Sequence, residues 1–160
     1  VKAGQTLIRQ AEPDDAAAMA RVFAAAIETK ARDSYGPRER AAWIARGTPE
    51  RFRAMLSDVR NTLFVALTNG RILGVGGLTA SEVSLLYTCP DAPAGTATAL
   101  LRVIEDLART RGLAGLGLTA SRNALPFYLR QGYAVVRLAT RPLANGVALP
   151  VCLMAKILVP

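Results

Sequence analysis

One hairpin fixes the middle of this fold. Leu63, Val65 and Leu67 alternate with Phe64 and Ala66, then comes Asn69-Gly70, then a second extended run from Ile72 to Leu78. Asn and Gly accept the positive φ of a type I′ turn, so this dipeptide between two period-two runs reads as a tight antiparallel pair. The second run carries Gly74, Gly76 and Gly77. A strand so thin on its faces predicts a bulge or the close approach of another element. Val83 to Thr88 reads as a third strand, ended at Cys89-Pro90 because proline cannot continue a central strand.

Helical spacing flanks this meander on both sides. Thr6 to Arg9 is a short strand, and Glu12-Pro13-Asp14-Asp15 places acidic residues at a helix start. Met19, Val22, Phe23, Ala26 and Ile27 then share one buried face. Tyr35-Gly36-Pro37 breaks that helix, and Arg38 to Ala45 resumes with Trp43. Gly47-Thr48-Pro49 precedes a further helical stretch, Glu50 to Asp58, with Thr48 as cap and Pro49 at the first helical position. Beyond the meander, the small-residue loop Ala92–Ala97 feeds an amphipathic helix with Leu100, Ile104, Leu107 and Ala108 on one face, stopped at Gly112. Leu116–Thr119 is a buried strand and Asn123–Arg130 a compact helix. Tyr133–Leu138 and Ala148–Ile157 close the sheet through Asn145-Gly146. The expectation is one α/β (α+β) domain over residues 1–160 with a mixed, mostly antiparallel sheet.

The chain has no histidine. That removes Ser-His-Asp and Cys-His triads, the common zinc sites and any histidine base, so no metal is expected. Cys89 and Cys152 lie far apart in apolar surroundings and read as reduced, buried thiols of a cytoplasmic protein. The net charge of +8 comes from 20 basic and 12 acidic residues spread along the chain. Without a basic block or an aromatic-rich basic strand it argues against nucleic acid, while favouring a polyanionic ligand. No apolar run is long enough to suggest a membrane span.

The informative unit runs from Val83 to Tyr133. A small-residue loop entering a helix presents unpaired N–H groups and a positive dipole end to phosphate. Val83-Ser84-Leu85-Leu86-Tyr87-Thr88-Cys89-Pro90, the Gly95 loop with Leu100-Leu101, and the Ser121/Ala124/Phe127-Tyr128/Gly132-Tyr133 spacing resemble the GNAT family of acyl-CoA-dependent N-acetyltransferases. The resemblance extends to Thr6–Arg9, Phe64-Val65-Ala66, Gly74, Met154-Ala155-Lys156, and the pair Tyr35 and Trp43.

That resemblance implies a sheet with splayed strands, acetyl-CoA as co-substrate and an amine of a small molecule or peptide as acceptor. It implies pantetheine pairing along Leu86, Tyr87 and Thr88, most directly at Leu86 and Thr88. It implies a pyrophosphate loop at Ala94, Gly95, Thr96, Ala97 and Thr98, with Asn123 near the pantetheine. Tyr128 is then the general acid for the departing thiolate, and Glu82 the first candidate for a base, ahead of Glu39 and Asp33. Tyr35 and Trp43 fall on the acceptor side, and a homodimer is compatible with the fold. The plain alternatives are that Tyr128, Tyr35 and Trp43 are core aromatics, Glu82 a solvated strand end, and Ser121 and Asn123 helix caps.

The loop departs from the family pattern. Ala92 stands where a polar residue is usual, and Pro93 has no N–H. Losing one or two charge-assisted hydrogen bonds, at about 1.5–3 kcal/mol each, predicts acetyl-CoA binding weaker by roughly 10–10⁴-fold. A GNAT-shaped binding or regulatory module with little activity is therefore the alternative to an active transferase.

Overall fold

The computed structural model describes residues 5–159. It contains a seven-stranded sheet in the order β1-β2-β3-β4-β5-β7-β6. The strands are β1 (Thr6–Gln10), β2 (Asn61–Thr68), β3 (Arg71–Thr79), β4 (Glu82–Thr88), β5 (Gly115–Ser121), β6 (Ala134–Pro142) and β7 (Ala148–Ile157). Three helices lie between β1 and β2: α1 (Ala16–Lys30), α2 (Pro37–Ile44) and α3 (Pro49–Ser57). Helix α4 (Thr96–Thr110) crosses from β4 to β5, and α5 (Leu125–Arg130) joins β5 to β6. Every neighbouring strand pair is antiparallel except β4 and β5.

The central hairpin is as the sequence predicts. Thr68 pairs with Arg71 across a two-residue turn in which Asn69 and Gly70 both have positive φ, at 52° and 77°. Thr48 caps α3 by accepting from the Arg51 amide at 3.1 Å. The predicted core face of α1 is buried in full. It packs with α2 and α3 on one side of the sheet, over Leu63, Val65, Val75 and Leu85. On the other side α4 and α5 cover Leu78, Val83, Leu116, Leu118 and Met154.

The glycine-rich strand carries a bulge, at Leu73 opposite Ala66 and Leu67, and it is approached closely. A methyl group on Gly74 would lie 2.9 Å from Leu100 Cδ1, and one on Gly76 would lie 3.1 Å from Ile104 Cδ1. The bare backbone thus lets α4 press against the sheet. The register shifts between Gly77 and Leu78, where Leu78 pairs with Val83 and Gly77 with Leu85, leaving Ser84 as the extra residue of a β-bulge. In consequence Val83 faces α4 while Leu85, two residues on, faces α1. Without the bulge the two would share a face.

Some boundaries move. The compact helix begins at Leu125, two residues later than predicted, with Ala124 at its N-cap and no side-chain cap. Ser121 and Asn123 are therefore not its caps. Strand β6 continues to Pro142, four residues beyond its predicted end.

Candidate functional site

The bulge at Ser84 bends β4 out of the sheet. The β4–β5 ladder has one residue pair, Glu82 with Gly117, supported by the Gly117 amide donating to Ser81 at 3.0 Å. Beyond it the strands part, while β5 stays paired with β7 along its length. The notch opens at the carboxyl ends of two parallel strands, the usual crevice for ligands in such sheets.

The orientation of the β4 backbone follows from one bond. The Cys89 amide donates to the Leu73 carbonyl at 2.8 Å, so Cys89 points its main chain at β3. In an antiparallel ladder the bonded pairs alternate. Tyr87 and Leu85 therefore also turn to β3, while the N–H and C=O groups of Leu86 and Thr88 turn into the notch.

A cavity of about 400 Å³ occupies the gap, with Leu86, Tyr87, Thr88, Asn123 and Tyr128 in its wall. The Asn123 Oδ1 is buried without a hydrogen-bond partner among the described residues, so the wall offers an unused acceptor. Tyr128 packs its ring against Phe127 and Tyr133, at centroid distances of 5.2 and 5.7 Å. The residue is only 7% exposed, yet its side chain forms part of the cavity wall. Burial holds its phenol above the ordinary value of 10, so it stays protonated. The Tyr128 ring is core, and the same side chain borders the notch.

A second cavity, about 280 Å³, continues the first around the loop and shares Lys30, Thr88, Ala97 and Phe127 with it. Gly95 sits in the left-handed region at φ 89° and is the N-cap of α4. It starts the helix in a conformation that a side chain would disfavour. The Thr96 hydroxyl and amide both donate to the Pro93 carbonyl, at 2.7 and 3.2 Å. Thr96 is thus committed to shaping the turn. The amides of Ala94, Gly95, Ala97 and Thr98 have no backbone acceptor among the described residues. The Thr98 hydroxyl accepts from Gln131 at 3.3 Å and keeps its own proton free to donate.

The acceptor-side residues separate. Trp43 touches the notch cavity and two smaller ones, of about 50 and 80 Å³, that lead away from it. Tyr87 touches the same three and packs edge-on against Phe23 and Trp43. Tyr35 stands behind Trp43, 3% exposed, in an edge-on contact at 5.8 Å. Its hydroxyl donates to the Pro150 carbonyl and accepts from the Arg122 amide. It ties three segments together and lines none of these cavities. Glu82 is exposed at the zipped end of the strand pair and also lies outside them. Glu39 binds the Gly36 amide at the start of α2.

Sequence reasoning missed Lys30. It follows Ile27 and Ala26 by three and four positions, so it prolongs the buried stripe of α1. The residue as a whole is exposed, but its ammonium donates to the Thr88 hydroxyl. Burial lowers its pKa, with Cys89 nearby pulling the other way. Cys89 and Cys152 are free and buried, and burial raises the Cys89 thiol.

The site is thus a mixed sheet parted beside a helix N-terminus, with a phenol in the wall and no histidine in the chain. The family model of the acetyltransferase (GNAT) domain matches residues 31–149. A GCN5-related N-acetyltransferase structure from Rhodopseudomonas palustris is 30% identical, with 99% of each chain covered and a TM-score of 0.90. The chain belongs to the GNAT acetyltransferase family. Two further structures share the fold. A PaiA N-acetyltransferase from Thermoplasma acidophilum, solved in complex with coenzyme A, is 18% identical over 96% of this chain and 99% of that one (TM-score 0.78). The ribosomal-protein-S18-alanine N-acetyltransferase from Escherichia coli is also 18% identical, over 98% and 96% (TM-score 0.71). No curated protein matches the sequence. Among the described residues, no helix is long and apolar enough to cross a membrane.

Proposed function

We propose that the protein moves an acetyl group from acetyl-CoA directly to an amine, with the reacting carbonyl in the notch between β4 and β5. The observation that carries this reading is the parting of the two strands after one residue pair, with the Leu86 and Thr88 main chains turned into the gap. Those groups offer the pantetheine arm a strand to pair with, and their amides can face negative charge developing on the carbonyl oxygen. The orphaned Asn123 Oδ1 suits an amide N–H of the same arm. The unpaired amides from Ala94 to Thr98, at the positive end of α4, suit a diphosphate. Lys30 reaches both cavities from α1 and supplies the cation that the loop lacks at Ala92.

Acetyl-CoA supplies an activated thioester, so no covalent bond to the protein is needed. The chain holds both substrates in register, which removes most of the entropic barrier. Tyr128 donates its proton to the departing thiolate. The burial that raises its phenol disfavours the thiolate in the same apolar wall, which keeps the transfer matched. Among the described residues no carboxylate lines the notch cavity, so the amine loses its proton to water and not to Glu82.

Calorimetric titration with CoA, followed by thiol release from acetyl-CoA over a panel of amines, tests the reading. At a hundredfold excess over Kd, binding adds about 2.7 kcal/mol of stability. For a chain of this size that raises Tm by roughly 5–10 °C. No heat and no shift at millimolar CoA would leave the non-catalytic module as the better account.

A further inference from the structure

The cavity of about 80 Å³ beyond Trp43 is cationic. Arg46 after α2, Arg51 on α3 and Arg141 on β6 all line it, around Tyr87 and Ser84. Arg46 and Arg51 flank the short α2–α3 connection, and the fold brings Arg141 of β6 to them. The smaller cavity between this one and the notch shares Arg141, Ser84, Trp43 and Tyr87 with it, and is also lined by Tyr128. The two cavities therefore adjoin, with the phenol on one side and the guanidinium groups on the other.

Nothing acidic answers this charge. Among the described residues, no Asp or Glu lines any of the three adjoining cavities. Arg9, Arg53, Arg60, Arg71, Arg109 and Lys156 each have a carboxylate partner, whereas Arg46, Arg51 and Arg141 have none among the described residues. The pocket also holds the Ser84 Oγ, buried and without a partner at the bulge. Burial, and then the proximity of Arg51 and Arg141, lowers the pKa of Arg46. Like charges gathered with no counter-ion are unfavourable in the free protein, and a bound anion relieves them.

Resting on the reading of the notch as the acetyl-transfer site, we infer that the acceptor is an amine carrying an oxyanion, carboxylate or phosphate, which Arg46, Arg51 and Arg141 hold while its nitrogen faces the thioester. Planar guanidinium groups bind such anions bidentately, so each contact both holds and orients. Polyamines and other polycations meet repulsion in the same cavities.

The test uses matched pairs: amines bearing a carboxylate or a phosphate, each beside its neutral amide or dephosphorylated form, with spermidine as the polycation. Trp43 is the only tryptophan and lines all three cavities, so its fluorescence reads acceptor binding without turnover. Thiol release gives kcat/KM. The oxyanion-bearing member of a pair is expected to bind and react at least about tenfold better. The carboxylate and phosphate arms show which anion fits. Arg141→Gln and Arg46→Gln are each expected to cut that ratio about tenfold while CoA affinity by calorimetry is kept. Neutral or polycationic amines preferred by the wild type would overturn the inference, as would a ratio unmoved by either substitution. Loss of CoA binding in the wild type would instead overturn the reading of the notch. The Trp43 titration then still judges the anion preference by itself.

Discussion

Replacing Tyr128 by phenylalanine removes one oxygen from the cavity wall and leaves the ring. The ring carries the packing, through Phe127 and Tyr133. The hydroxyl is bonded to no protein group among the described residues, so stability changes by less than about 0.5 kcal/mol. The rate effect is much larger. A positioned general acid contributes about 10²–10⁴ in rate, so kcat is expected to fall by at least about a hundredfold. The KM for acetyl-CoA stays within about threefold, because the notch amides and the α4 loop are untouched. Burial raises the phenol, so the donor form persists through neutral and mildly alkaline pH. Activity that depends on Tyr128 is lost only as pH climbs past its usual 10, and no acid limb belongs to it. Steady-state thiol release at saturating acceptor measures kcat. Repeating it with a thioester of a more acidic thiol adds a second reading, since a better leaving group needs less protonation. A kcat within about threefold of wild type would refute the assignment. So would a deficit that is the same for both thioesters.

Lys30→Met keeps the apolar stem and removes the charge between the two cavities. CoA affinity is expected to drop about tenfold, and less at high salt; an unchanged Kd in low salt would dismiss the role. Lys156→Met strands the Glu105 carboxylate, which is 5% exposed, sits 2.9 Å from Nζ and accepts from Tyr133. Removing one partner of a buried pair costs about 3–5 kcal/mol. The Lys156 side chain is 23% exposed, so the lower end is expected in urea denaturation, and a loss under 1 kcal/mol would count against the pair. Asp15 takes two bonds from Arg9, at 2.8 and 3.0 Å, and one from the Glu12 amide at 2.7 Å. The Arg9 bonds foremost hold its carboxyl below the usual 3.8. That stability is present above the unfolded value and lost as pH falls through the lower folded one. Asp15→Asn is therefore expected to cost about 1–3 kcal/mol at pH 7 and progressively less as pH falls below 3.8; a difference independent of pH would contradict this.

Local chemistry was the legible part. Asn69-Gly70 fixed a turn and a register, Thr48-Pro49 fixed a helix start, and Gly74 with Gly76 announced the approach of α4. Each depends on residues within a few positions of one another. The splay itself follows from one extra residue at Ser84, which alters no composition and no period long enough to notice. Arg141 was invisible for a different reason. Strand β6 is an exposed edge with no buried face to set its period, so its last four residues gave no strand signal. Lys30 did leave a trace, as a lysine on an apolar stripe, but such a residue usually snorkels to water. Tyr35 stands behind the cavities, which no local pattern foretells: its hydroxyl anchors the Arg122 amide, next to Ser121 in the cavity wall.

The distribution of charge then bears on the step that lacks a base. An alkyl amine is mostly protonated at neutral pH, and an ammonium cannot attack a carbonyl. A carboxylate beside it would stabilise the ammonium further. This site does the reverse. Among the described residues, the cavities from the notch to Arg46 are lined by cationic and hydroxyl groups and by no carboxylate. A positive surrounding lowers the pKa of an amine just as it lowers that of Arg46. The substrate's own oxyanion offsets repulsion for the molecule as a whole, while the nitrogen, held at the Tyr128 end, sits in apolar surroundings that favour its neutral form. One arrangement of arginines thus selects the acceptor by one end and readies the other for attack. Glu82 at the closed end of the strands has no part to play in that scheme. Substituting Glu82 by glutamine should leave the alkaline rise of kcat/KM where it was, whereas Arg141→Gln should move that rise to higher pH as the amine regains its ordinary basicity.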